Sequence, residues 1–380
     1  MNKYFIGTLN NISSVGLSRL KDNYILTEDI DKANGIIVRS YKMHDMNFSN
    51  ELLAIGRAGA GVNNIPLDTC SEKGIVVFNA PGANSNAVKE LVISSLIMGA
   101  RNIYEGISWA NSLTENVGES VEKGKKQFVG SEISGKTLGV IGLGAIGAKV
   151  ANAAHCLGMN VVGYEAFKPH PCLNAPVELY DDVNDMVKVC DFISIHVPSL
   201  KETKEMINKD LISKMKDGVI ILNFARPDLV KVSDIVDAAK DGKVRKYLTD
   251  LPNEDLINCP NIITTPHIGA STSESEENCA SMAVDEIMDY FDNGNILNSV
   301  NFPKAVSERV PDTNRLCLLY KGDVDIEEII KSKVSSNSIK NFLIAKGRND
   351  YNYAIFDISK DASCLDISFA GLIRTRLIEN

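Results

Sequence analysis

The feature that most constrains this chain lies near its centre, in Gly142-Leu-Gly144-Ala-Ile-Gly147. It is preceded by the apolar run Thr137-Leu-Gly-Val-Ile141 and followed by the alanine-rich stretch Ala148–Leu157. Glycines at this spacing are weak evidence alone, but a buried strand before them and a helix after them supply the context of a dinucleotide-binding turn. The first glycine allows the tight turn, the second lets the backbone approach a pyrophosphate, and the third lets helix pack on strand. The helix N-terminus then presents free N–H groups and the positive end of its dipole to the phosphates. A second strand ends at Tyr164-Glu165, and Glu165 lies 23 residues beyond Gly142. That is near the position of the acid that takes the ribose hydroxyls, and it points to NAD by repelling the 2′-phosphate of NADP. Lys168 is the one nearby feature that leaves NADP open.

Around this unit the chain alternates apolar runs with helical patterns. Strands are predicted at Thr137–Ile141, Asn160–Tyr164, Asp191–His196, Val219–Asn223, Lys246–Asp250 and Ile262–Thr265, the rhythm of a mostly parallel, doubly wound sheet. Earlier, Tyr4–Gly7, Gly35–Val38, Leu52–Arg57 and Ile75–Phe78 read as the strands of a smaller α/β domain, and residues 87–101 as a mostly apolar, buried helix. Ser271-Thr-Ser-Glu274 has capping-box spacing and begins a helix running to about Phe291. That helix would return the chain to its first domain and make the domain discontinuous. Residues 301–313 carry Pro303 and Pro311 and read as a linker. Beyond them, strands are predicted at Leu316–Tyr320, Asn341–Ala345, Tyr353–Ile358 and Leu372–Leu377, with a helix near Ile326–Lys333.

Composition narrows the function. A net charge of −9 argues against nucleic acid as the main partner. The longest apolar run, Leu91–Ala100, is too short to span a bilayer, and the N-terminal residues show no signal peptide. The eight cysteines form no CxxC pair and no zinc-ligand spacing, so they read as reduced cytosolic thiols, with no metal expected and a cytoplasmic location.

A hydride transfer from an alcohol needs a base for the hydroxyl proton and a cation for a substrate carboxylate, held past the C-terminal ends of the strands. Of five histidines, His267 is best placed: it follows the last strand of the sheet in Thr265-Pro-His267-Ile-Gly269. His196 also ends a strand, where it reads as a hydrogen bonder near the cofactor. Arg226, just after an apolar strand, would hold a carboxylate bidentately or else be a structural ion pair. Asp250 is a candidate for the nicotinamide amide, and Glu254 either fixes the histidine tautomer or is a solvated loop acid. In the first domain Arg39 and Arg57 follow strands, and Gly59 and Gly61 would expose backbone N–H groups suited to a carboxylate nest. Two arginines and a nest suit a doubly anionic substrate; otherwise these are ordinary strand-end arginines.

The segments Val38-Arg-Ser40, Gly56-Arg-Ala-Gly-Ala-Gly-Val-Asn63, Gly135–Gly147, His196-Val-Pro198, Asn223-Phe-Ala-Arg226, Thr265–Thr272 and Val300-Asn-Phe-Pro303 together resemble the D-isomer-specific 2-hydroxyacid dehydrogenases, over about residues 1–303. Residues 314–380 resemble, more weakly, an ACT regulatory domain. The resemblance implies an α/β protein with a Rossmann NAD-binding domain (98–274) inserted in a flavodoxin-like substrate domain (1–97 and 275–303), plus a small C-terminal α+β, ACT-like domain (314–380). It implies His267 as acid/base, Glu254 as its partner and Arg226 as the carboxylate clamp. Arg39 and Arg57 would face the phosphate end of the substrate. Ala145, Ile146, Glu165, Val197, Ala225 and Asp250 would line the NAD site with the glycines Gly142, Gly144, Gly147 and Gly269. The implied reaction is that of the branch oxidising 3-phosphoglycerate to 3-phosphohydroxypyruvate, the entry step of serine synthesis. The alternatives are a reductase of another 2-hydroxy or 2-keto acid and an NAD-sensing binding protein with little catalysis. A homodimer or larger assembly is expected, with residues 87–124 as the interface.

Three positions depart from the family pattern. Pro227 stands where glycine usually follows the clamp arginine. The acid after Asp250 falls at Glu254, one residue early, while Asp255 occupies the usual offset. Lys321-Gly-Asp-Val324 replaces a proline-bearing effector turn, which puts serine feedback in question.

Overall fold

The computed structural model describes residues 3–334, 336–361 and 367–379. The chain divides into two compact units, one of residues 1–84 with 273–380 and one of residues 85–272. Seven cysteines are free thiols; the eighth, Cys364, lies outside the described residues. Among the described residues no helix is long and apolar enough to cross a membrane, and no cluster of three or more His, Cys, Asp or Glu is arranged to hold a metal.

The first unit opens with five parallel strands, β1 (Tyr4–Leu9), β2 (Tyr24–Thr27), β3 (Gly35–Val38), β4 (Ala54–Arg57) and β5 (Val76–Phe78), in the order β2-β1-β3-β4-β5. This is the 2-1-3-4-5 order of flavodoxin-like sheets. The helix Ser273–Asn293 lies on the sheet through Ala283, Val284, Ile287, Tyr290 and Phe291. It packs close because Gly56 has no side chain: a Cβ there would meet Ile287 Cδ1 at 2.9 Å. The expected linker is in fact strapped to β5. Val300 N–H donates to the Val77 carbonyl at 2.9 Å, and Val77 N–H donates to Asn301 Oδ1 at 2.9 Å. This segment therefore satisfies backbone groups that the edge strand would otherwise leave open.

The second unit holds seven parallel strands, β6 (Thr137–Ile141), β7 (Asn160–Tyr164), β8 (Glu178–Tyr180), β9 (Phe192–Ile195), β10 (Val219–Asn223), β11 (Val244–Thr249) and β12 (Ile262–Thr264), in the order β12-β11-β10-β9-β6-β7-β8. Counted within the sheet, this is the 3-2-1-4-5-6 Rossmann order with a seventh strand added. The chain reverses direction across the sheet between β6 and β9, the switch point where ligands bind in such folds. The apolar helix Ser85–Arg101 covers one face, burying Val88, Val92 and Leu96 with Leu138, Val140, Leu222 and Leu248.

Four antiparallel strands close the chain: β13 (Thr313–Lys321), β14 (Ile339–Ala345), β15 (Tyr351–Ser359) and β16 (Leu372–Ile378), in the order β14-β15-β13-β16. Side chains alternate between two faces. Leu316, Leu318, Tyr320, Ala354 and Phe356 pack on the helix Ile326–Lys333, while Cys317, Leu319, Tyr353 and Ile355 enter the core that also contains Ile6, Phe78, Tyr290 and Phe291. Two arginines fasten this sheet. Arg315, fully buried, donates to both Asp357 carboxylate oxygens at 2.7 and 2.9 Å and to the carbonyls of Asn293, Ser307 and Glu308. Arg376 stacks 4.4 Å from the Tyr290 ring and donates to the Tyr290 and Phe291 carbonyls, both at 3.2 Å. A cation there meets the negative end of the Ser273–Asn293 helix dipole.

Short edge strands escape the sequence pattern. Neither β2 nor β8 is predicted, since each spans a few half-exposed residues without a clear alternation. Other predicted boundaries move by one to three residues; in particular the helix after the glycine loop starts at Ala145, not Ala148, and the return helix starts at Ser273. Removing Arg315 leaves Asp357 buried and unpaired, and loss of one partner of such a pair costs about 3–5 kcal/mol. R315A is expected to lower the thermal unfolding midpoint by several degrees more than K346A, which breaks only the exposed pair with Asp323.

Candidate active site

In the second unit the site is built around the glycine loop. Gly142 has φ +91°, a conformation that L side chains avoid, and a Cβ on it would meet the His196 carbonyl oxygen at 2.8 Å. A Cβ on Gly147 would lie 1.9 Å from the Gly142 carbonyl oxygen. By contrast, a Cβ on Gly144 would point into open space. The loop is thus closed on its inner side and open at Gly144, where the helix Ala145–Cys156 begins and its first N–H groups have no helical acceptors. Ile146 packs partly into the core behind the loop. Glu165 is already engaged here: its Oε2 accepts from Leu143 N–H at 2.6 Å and its Oε1 from Phe167 N–H at 3.1 Å. The carboxylate therefore braces the loop as well as standing at the strand end where a ribose would lie.

The neighbouring strand ends supply the rest. Val197 follows β9, and its Cγ1 would lie 2.9 Å from a Cβ on Gly142. His196 is bonded to Ser194 Oγ through Nε2 at 2.8 Å, while Nδ1 is buried without a partner. Desolvation pushes the His196 pKa down to about 3, so its imidazole is neutral, which suits a strand-end hydrogen bonder and not an acid. Asp250 is buried just past β11; its Oδ2 accepts from Gly269 N–H at 2.8 Å and its Oδ1 has no partner. Asp250 therefore anchors the turn that carries His267, and its free oxygen is suited to an amide donor. Thr265 Oγ1 is a further buried group without a partner in this turn, and sequence reasoning did not single it out. An orphaned acceptor at Asp250, an open face at Gly144 and an acid at Glu165 fit a nicotinamide dinucleotide.

His267 is exposed. Glu254 and Asp255 are exposed as well, on a turn capped by Asn253 Oδ1, which accepts from Asp255 and Leu256 N–H. No hydrogen bond or ion pair joins either acid to His267 among the described residues, so the geometry does not choose between them. Arg226 is exposed, has no acidic partner among the described residues, and donates to the Ala225 carbonyl at 2.7 Å. The turn that presents it rests on Asn223, fully buried, whose Nδ2 donates to the Arg226 carbonyl at 2.8 Å and whose Oδ1 accepts from Ala225 N–H at 3.1 Å. Asn223 was legible as part of the motif but not as its scaffold; an Asn ending an apolar strand is the signal, since its side chain mimics a backbone turn. Pro227 is accommodated. It occupies the first position of the short 3₁₀ turn Pro227–Leu229, where no N–H is needed, and Arg226 before it is extended (φ −144°, ψ 144°).

In the first unit, Arg39 follows β3 and Arg57 ends β4. Arg57 Nε donates to the Arg39 carbonyl at 3.1 Å, and Arg39 pairs with Glu276 at 2.7 Å. Gly59 (φ +152°) makes room for Arg57, because a Cβ there would lie 1.6 Å from Arg57 Nη1. The Gly59 N–H itself is spent on the Arg57 carbonyl at 2.7 Å, while those of Ala60 and Gly61 are among the donors left for an anion on this loop. The buried Cys279 thiol lies near both arginines; burial raises its pKa and the two cations oppose that.

The two glycines separate binding from folding. G144V is expected to weaken NADH binding at least tenfold, measured by fluorescence titration, while leaving the melting temperature of the cofactor-free protein nearly unchanged. G147A is expected to lower that melting temperature, because its Cβ collides with backbone.

Residues 93–269 match the NAD binding domain of the D-isomer specific 2-hydroxyacid dehydrogenases. D-3-phosphoglycerate dehydrogenase from Methanocaldococcus jannaschii is 36% identical over 298 residues, which cover 75% of this chain and 55% of that one. The present chain thus spans about half the length of that relative and of the similar protein from Archaeoglobus fulgidus. Hydroxypyruvate reductase from Thermotoga maritima is 39% identical over 245 residues, covering 62% of this chain and 76% of that one. The crystal structure of NAD+-bound 3-phosphoglycerate dehydrogenase from Entamoeba histolytica is similar at a TM-score of 0.62 and 27% identity, over 79% of this chain and 99% of that one. With the glycine loop, its acid and the parallel sheet in place, the chain belongs to the D-isomer specific 2-hydroxyacid dehydrogenase family, and residues 93–269 are its NAD-binding domain.

Proposed function

We propose that this protein oxidises 3-phospho-D-glycerate to 3-phosphohydroxypyruvate. The observation that carries the substrate assignment is the arginine pair of the first unit, with Arg57 held against the Arg39 backbone above Gly59 and beside the unbonded amides of Ala60 and Gly61. In this reading Arg39 and Arg57 take the phosphate end. Arg226, without an acidic partner among the described residues, and the Ala60–Gly61 amides take the carboxylate. His267 receives the hydroxyl proton as the carbon–oxygen double bond forms, and Glu254 or Asp255 stabilises the resulting imidazolium. NAD would supply the hydride acceptor, with Asp250 holding its amide and Glu165 its ribose.

A second reading, reduction of an unphosphorylated 2-keto acid, is favoured by one contact: Glu276 already pairs with Arg39. The readings separate in one assay. R57A is expected to raise KM for 3-phosphoglycerate at least tenfold more than KM for an unphosphorylated 2-hydroxy acid, followed by NADH absorbance. Equal effects on both substrates would favour the second reading. H267A is expected to lose about 10²–10⁴ in kcat while NADH affinity holds; unchanged turnover would remove His267 from the chemistry and leave an NAD-binding protein as the alternative.

The C-terminal strands, arranged β13–helix–β14–β15–β16 in the order β14-β15-β13-β16, support an ACT-like regulatory role by their split βαβ order. A homo-oligomer is supported by Ile103, Tyr104, Ile107 and Val117, all exposed by 38–55% on the helices Ile103–Asn111 and Val117–Gly124. Light scattering is expected to return at least a dimer mass, and I107E with Y104E a smaller one.

A further inference from the structure

The helix Ser273–Asn293 buries a carboxylic acid that nothing in the proposed chemistry uses. Glu286 is 7% exposed. Its Oε1 accepts from Asn298 Nδ2 at 2.5 Å, and its Oε2 is buried without any partner. From Asn298 the contacts run on. Asn79 N–H donates to the Asn298 carbonyl at 3.3 Å, and Asn79 Nδ2 donates to the Ala60 carbonyl at 2.7 Å. Beside them Ala80 N–H donates to the Gly59 carbonyl at 2.9 Å. The loop whose amides at Ala60 and Gly61 remain open is therefore held from behind by residues 79–80, and those are held by Asn298 and Glu286.

We propose that Asn298 and Glu286 are positioning residues that set the Ala60–Gly61 amides and so govern the grip on the anionic end of the substrate. This rests on the reading that the loop receives that anion. The hydrogen bonds run from the buried acid to the Asn298 side chain, from the Asn298 carbonyl to Asn79, and from Asn79 to the ligand-facing peptide, so a displacement of the acid that moves Asn298 is passed to the loop. Asn298 and Asn79 are amides, so the acid is the only member of the chain that titrates.

The direction of that titration follows from its surroundings. Desolvation raises the Glu286 pKa from 4.5 to about 8, and Asp285 on the same helix adds repulsion. The facing segment Asn295-Ile-Leu-Asn-Ser299 and the strand β5 carry no charge, and Asp289 one turn on is engaged by Asn293 and Asn295. At neutral pH Glu286 is thus a protonated acid whose carbonyl oxygen serves Asn298. Once ionised, its unpartnered oxygen must find water, and Asn298 moves with it. The native state holds a proton that the unfolded chain releases near pH 4.5, so stability falls as pH rises from there through about 8.

The test is steady-state kinetics of the full-length protein between about pH 6.5 and 9.5, with NADH affinity and thermal unfolding measured alongside. N298A is expected to raise KM for the 2-hydroxy acid about fivefold to tenfold with kcat within about twofold, the pattern of lost ground-state binding. E286A is expected to do the same, and the conservative E286Q to restore KM at neutral pH. In the wild type KM is expected to rise as pH passes about 8, whereas in E286Q it stays flat. E286Q is also expected to melt about 2–4 °C above wild type at high pH. NADH affinity should be unchanged in all three. Should N298A fail to fold, the E286Q comparison of KM against pH decides alone. A wild-type KM in N298A, or identical KM profiles for wild type and E286Q, overturns the proposal while leaving the functional reading intact. A wild type that oxidises no 2-hydroxy acid overturns both.

Discussion

The constraint on which the cofactor half of the molecule depends is a backbone contact, not a side-chain one. The Gly142 carbonyl occupies the space that any Cβ on residue 147 would need. With that contact made, β6 can turn directly into the helix Ala145–Cys156. The loop can then lie against the His196 carbonyl at the end of β9, and Gly144 is the residue left facing outward. Glu165 completes the arrangement by accepting a loop N–H. Three glycines and one acid thereby place a helix terminus at the point where the strand order reverses, where a phosphate finds both a concavity and a dipole.

This half was legible because each of its requirements leaves a residue type behind. A turn at φ +91° and a close helix–strand approach both demand glycine, and the buried parallel strands read as short runs rich in Val and Ile. What stayed hidden depends on tertiary distance. The bracing by Glu165, the anchoring of Gly269 by Asp250 and the scaffolding by Asn223 each use residues already visible in motifs, but in roles that sequence spacing does not distinguish. The Arg39–Glu276 pair joins positions 237 residues apart, and no local pattern announces it. Nor does the sequence separate Glu254 from Asp255, and their exposed turn does not separate them either.

The arginines of the first unit are used in two different ways. Arg315 and Arg376 are spent on structure: their donors go to carbonyls and to Asp357, and their charge is satisfied in the interior. Arg39 is half-exposed, and its pair with Glu276 is of the kind worth about 0–1 kcal/mol. Holding Arg39 with a weak partner keeps the cation oriented while leaving it exchangeable.

The way β13–β16 are built into the first unit bears on how such a chain can be cut or recombined. An appended module joined by a tether leaves a hydrated seam at which the gene can be divided. Here one face of the appended sheet shares its core with Ile6, Phe78 and Phe291, and the joining segment is closed by Arg315 on the carbonyls of Asn293, Ser307 and Glu308. A stop codon placed after residue 312 would remove one side of that shared core. It would strip the cover from Tyr290 and Phe291 and uncap the end of their helix, so the economical unit of inheritance is the sheet together with the helix it caps.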